Sequence, residues 1–98
     1  MNPDTPKTVL TNSADVERIK GLVSQLPSLA RVRITLRDGE TCVGTVIERP
    51  AAQQFRDEKG HEGMNALVRL DDPVAPPWKI DLWLSDIQQI EQLGSIGA

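Results

Sequence analysis

The hydrophobic positions of the chain change their period twice. Between residues 12 and 27, Val16, Ile19, Leu22, Val23 and Leu26 recur at the spacing of one helical face. Asn12 or Ser13 stands where a cap would accept amide hydrogens of the first turn. Asp15 and Glu17 face the positive end of the helix dipole, and Pro27 stops the run. Gly21 lies off the stripe and costs about 1 kcal/mol against alanine, so the helix is expected to dock its apolar face on a core.

From Arg31 the period falls to two. Val32, Ile34 and Leu36 alternate with Arg31, Arg33, Thr35 and Arg37, the pattern of a half-buried strand. Asp38-Gly39 follows as a hairpin signal, because Gly39 accepts positive φ without strain. The second strand, Glu40 to Arg49, has apolar residues on both faces. A two-residue turn would set Val43 and Ile47 beside Ile34, and a three-residue loop would set Cys42 and Val46 there instead. Gly44, inside that strand, marks a bend, a bulge or a close backbone approach.

Pro50 ends the second strand, and the polar stretch to Gly63 is expected to be a long exposed connection. A third strand is expected at Asn65–Leu70, and a proline-rich turn follows. Trp78, Ile80, Leu82 and Leu84 alternate with Lys79, Asp81 and Trp83 as a fourth strand. A short fifth element carries Ile87, Ile90 and Leu93. The expected division is a flexible arm at 1–11, one domain at 12–93 and a tail at 94–98.

Composition narrows the reading. The 98 residues, 39% hydrophobic and 26% charged, describe one globular domain with a modest core. No apolar run reaches the roughly 20 residues of a membrane span. The first residues lack the order of a signal peptide, so no membrane partner and a cytoplasmic location are expected. Cys42 is the single cysteine, which excludes an internal disulfide and a cysteine-rich zinc site. The net charge of −3 is a poor basis for nucleic-acid binding, yet Arg31, Arg33 and Arg37 concentrate three positive charges ahead of a segment, 38–98, that carries −6.

One helix and five short strands with a bent second strand call for a small closed or nearly closed barrel, since strands this short would otherwise leave open edges. Leu36-Arg37-Asp38-Gly39, then Cys42, Gly44 and Val46, resembles the first Sm motif. Met64-Asn65-Ala66-Leu67 resembles the segment that opens the third strand in that family. Leu84-Ser85-Asp86-Ile87 is similar to a small uncharacterised proteobacterial family with a variant of the Sm-like fold. The resemblance spans roughly residues 14 to 92. It implies a mostly β fold, an Sm-like bent five-stranded small barrel with an N-terminal α-helix. It also implies edge-to-edge homo-oligomers and contact with short U- or A-rich RNA through two loops. Asn65 matches the asparagine of one RNA loop, but His61 stands where that pattern has an aspartate. Ser85-Asp86 occupies the place of the cation in the other loop.

The candidate residues divide accordingly. Asn65, Arg31 and Arg33 are the RNA-contact candidates, against a capping asparagine and a strand's solvent face paired with Glu40 and Glu48. Trp83 is the candidate oligomer contact, as an aromatic on the outer face of an edge strand. Gly39 and Gly44 are structural. His61 with Asp57, Glu58 and Glu62 reads as a solvated charge run, so no metal and no cofactor are expected. Asp81 and Asp86 have no pocket to act in, and Cys42 reads as a small buried hydrophobe, so the chain is not expected to be an enzyme. The expectation is an oligomerising protein-interaction module, with weak binding of single-stranded RNA as the alternative.

Overall fold

The computed structural model describes Pro6 and residues 8–71 and 79–95. Helix α1 covers Ser13–Ser24, and the Asn12 side chain caps it by accepting from the Ala14 amide at 2.8 Å. Its stripe behaves as the spacing predicts. Ile19 and Leu22 are buried, as is Leu26 just beyond the last turn. Seven strands follow: β1 Ala30–Leu36, β2 Thr41–Val46, β3 Gln53–Arg56, β4 Glu62–Asn65, β5 Leu67–Asp71, β6 Lys79–Trp83 and β7 Ile87–Ser95, with a 3-10 turn at Leu84–Asp86.

The register of the first hairpin is the three-residue alternative. Ile34 stands opposite Cys42, the Leu36 amide donates to Glu40 O, and Gly39 takes φ 92°. Val32, Ile34 and Val46 therefore point inward, while Arg31, Arg33 and Thr35 line the outer face. Gly44 lies opposite Val32 where β5 crosses closest. A Cβ there would stand 3.1 Å from Asp71 O and from Leu70 Cβ, so it is a close approach that this position accommodates.

Four expectations are corrected. The stretch after Pro50 is a second hairpin, because β3 and β4 pair from Gln53 opposite Asn65 to Arg56 opposite Glu62. Its turn is closed by Asp57, whose carboxylate accepts from the Lys59 and His61 amides. The expected third strand breaks at Ala66 into β4 and β5, and the last element is nine residues long rather than short. Finally, the sheet is not closed. Its strand order is β6-β5-β2-β1-β7, with β6 and β7 as its two edges. The proline-rich turn and Trp78 fall outside the described residues, as do the tail beyond Ser95 and most of the first seven residues.

The segment ahead of the helix is docked where it is described. Leu10 and Met64 exchange backbone hydrogen bonds of 2.9 and 2.8 Å, and Pro6 is buried. Val9 and Leu10 pass so close to Gly63 that a Cβ there would stand 2.9 Å from Leu10 O. The core lies between α1 and the inner face of the sheet, where Val68, Leu70, Leu84 and Ile87 meet the helix stripe and the β1 residues. Cys42 is half-buried against it.

Candidate functional site

The two segments that resemble the RNA loops do come together. β4 ends at Asn65 and the 3-10 turn begins at Leu84, and the Leu84 amide bonds to Ala66 O at 2.9 Å. Asn65 is fully buried. Its Nδ2 donates to Thr8 O and to Ser85 Oγ, each at 2.9 Å, and its Oδ1 accepts from the Ala66 and Ser85 amides. An amide has two donors and two acceptor sites, so this side chain is saturated within the chain. A base could reach it only by displacing the arm and the 3-10 turn.

The arginines are distributed differently from the expected stripe. Arg33 pairs with Glu91 on β7 at 3.0 Å rather than with Glu40 or Glu48. Arg31 is half-buried opposite Thr45 and Gly94. Arg37, which the hairpin carries, turns back to the 3-10 turn. Its amide donates to Asp86 O at 2.9 Å and its Nε to Ser85 O at 2.8 Å. It thus brings a guanidinium to the loop whose own sequence offers Asp86. A three-residue hairpin register was the signal that could have revealed this, since it decides where Arg37 points.

The other candidates make contacts within the chain. Asp81 accepts from Arg69 Nε at 2.7 Å and Nη2 at 3.2 Å across the outer face of β5 and β6. His61 Nδ1 stands 3.2 Å from Asp57 Oδ2 within the β3–β4 turn. Partial desolvation raises the affinity of Asp57 for its proton, but the His61 and Lys59 amides and the His61 ring together hold its carboxyl below the ordinary range. Among the described residues no group of three His, Cys, Asp or Glu side chains is gathered as a metal site. Burial, with Glu40 and Asp38 nearby, pushes the Cys42 thiol upward and keeps it protonated. Trp83 packs edge-on against Phe55 of the second hairpin, with ring centroids 5.0 Å apart at 84°. That covers part of the ring and leaves the rest half-exposed on β6.

A family model described as a domain of unknown function (DUF3247) matches residues 3–93. The chain belongs to the DUF3247 family. A solved structure of XC5848 from Xanthomonas campestris, described as a novel variant of the Sm-like motif, is 33% identical. The likeness covers 92% of this chain and 97% of that one, with a TM-score of 0.82. The DUF3247 chain is therefore a mostly β Sm-like variant with one helix, and its sheet stays open. No functionally curated protein matches it. Among the described residues no helix is long and apolar enough to cross a membrane.

Proposed function

We propose that this DUF3247 protein is a non-catalytic interaction module that self-associates through the open edge of β6, which carries Trp83. The observation that supports the reading is the asymmetry of the two sheet edges. At β7, Arg18 Nη2 donates to Ile87 O at 2.7 Å and to Gln88 O at 3.0 Å, and the Gln92 side chain reaches Gln25 O. Side chains thus tie helix α1 and its C-cap residue to that strand. Strand β6 has β5 on one side and no described strand on the other. An unpaired strand edge is a template for another chain, and the exposed part of Trp83 adds apolar surface beside it. Light scattering of the wild type at tens of micromolar (about the range of modest affinity) is expected to give more than one chain per particle, with less in Trp83→Gln. A monomeric wild type overturns this reading.

A second reading, weak binding of single-stranded RNA, is favoured by one observation: Arg37 brings a cation to the Ser85-Asp86 turn. Arg31 and Arg33 would add phosphate contacts, each contributing about one unit to the logarithmic salt slope. Asp86 opposes them. Binding of short U-rich and A-rich RNA should then vanish in Arg37→Ala, strengthen in Asp86→Arg and fall steeply with salt. No binding at low salt in either wild type or Asp86→Arg removes this reading.

A further inference from the structure

The three exposed large apolar side chains of the described residues gather at one end of the sheet. Leu29 is 52% exposed, Ile47 39% and Leu93 38%, where β1 begins and β2 and β7 finish. Leu29 is held there at a conformational cost. It is the one non-glycine residue with positive φ among the described residues, at 70°, a region that a leucine rarely occupies. Its amide still donates to Val46 O at 2.8 Å, so the backbone is locked while the side chain projects into solvent. Strain kept without burial to offset it points to a use for the exposed group.

A receptor for such a knob lies beside it. Ile47 leaves β2, and the chain from Ile47 to Ala51 diverges from β5. Between them lies a depression of about 290 Å³, walled by Ile47, Pro50 and Leu67 and rimmed by Glu48, Arg49 and Arg69. The Arg49 amide donates to Ser28 Oγ at 2.9 Å, which fixes the Glu48-Arg49 pair next to Leu29. Both charges are exposed, and among the described residues neither has an ion-pair partner.

We propose that this end of the sheet is a two-fold contact between copies of the chain, in which Leu29 of each copy enters the depression beside Ile47 of the other and Glu48 meets Arg49 across the axis. A two-fold contact requires each copy to present both halves of every complementary pair. Here one knob, one depression, one acid and one base adjoin at one end of the sheet. The inference rests on the self-association reading and adds a face distinct from the backbone edge of β6.

Sedimentation equilibrium from about 1 to about 200 µM tests it. The wild type is expected to associate reversibly, and Trp83→Gln, which weakens the β6 contact, to retain a dimer through this face. Ile47→Glu and Leu29→Asn should each weaken it about tenfold or more, with melting temperatures reporting that the fold persists; asparagine suits the backbone at position 29. Glu48→Arg and Arg49→Glu should each weaken the dimer, and the double exchange should restore it. An association that all four single variants leave unchanged overturns this contact and leaves self-association standing, whereas a monomeric wild type overturns both. A double exchange that stays as weak as its parents overturns the two-fold arrangement.

Discussion

Asn65 and Ser85, twenty residues apart, are bonded in both directions: Asn65 Nδ2 donates to Ser85 Oγ at 2.9 Å, and the Ser85 amide donates to Asn65 Oδ1 at 3.2 Å. With Thr8 O on the other amide hydrogen, one buried side chain ties together the segment before the helix, the start of β5 and the 3-10 turn. Asn65→Ala would leave several buried partners unsatisfied, at about 1–3 kcal/mol each before relaxation. Chemical denaturation should show a loss of about 2–4 kcal/mol. A loss below about 0.5 kcal/mol, the scale of an ordinary surface change, would mean that the knot does not hold the fold.

Glycines at two positions should respond oppositely to alanine. At Gly44 the added Cβ meets Asp71 O and Leu70 Cβ at 3.1 Å, both in a packed strand. Overpacking of that kind costs about 1–3 kcal/mol. At Gly21, in the middle of α1, a Cβ meets nothing within 4 Å. Gly21→Ala should therefore stabilise by up to about 1 kcal/mol. Thermal melts of the two variants on either side of the wild type would bear this out.

The second hairpin should loosen in acid before the main sheet does. Asp57 holds the turn as a carboxylate, and its folded affinity for protons lies below the ordinary value of 3.8. A depressed value contributes stability above the unfolded pKa, and that contribution is lost as pH falls through the folded one. Amide exchange at Lys59 and His61, taken relative to the intrinsic rate at each pH, should accelerate below about pH 4 in the wild type. In Asp57→Asn it should already be faster at neutral pH and lose that acid step.

Cys42 should be a slow nucleophile. Half-burial and the neighbouring Glu40 and Asp38 carboxylates all favour the neutral thiol, and the thiolate is the reactive form. Alkylation by iodoacetamide at pH 8 should lag behind a free thiol and accelerate in Glu40→Gln. Reaction as fast as in the unfolded chain would contradict the placement of this strand.

Much of the local structure was legible because it depends on neighbours in the chain. The helix from Asn12 to Pro27 follows from its spacing and its cap. The Asp38-Gly39 turn follows from the φ that a left-handed position requires, and Gly44 stands out as a bend, a bulge or a close approach, of which the structure shows the last. The second hairpin was missed because polar β3 and β4 bury little on either face, so no alternation marks them. Their pairing is nonetheless real, fixed by Asp57 and by the docking of Leu10 on Met64.

Local pattern along the chain was enough for the helix, the succession of the main strands in the chain, the inward set Val32, Ile34 and Val46 as one of two registers, and a resemblance to an Sm-like group. Tertiary structure alone decided that the sheet stays open, that the three-residue register turns Arg37 onto Ser85 and Asp86, and that Asn65 faces inward. It also decided that Trp83 meets Phe55 and that Leu29, Ile47 and Leu93 share an end. Each of these is a relation between residues far apart in the chain. Propensity and periodicity act over a few residues, whereas which distant groups meet is settled by packing that closes only when the whole core forms.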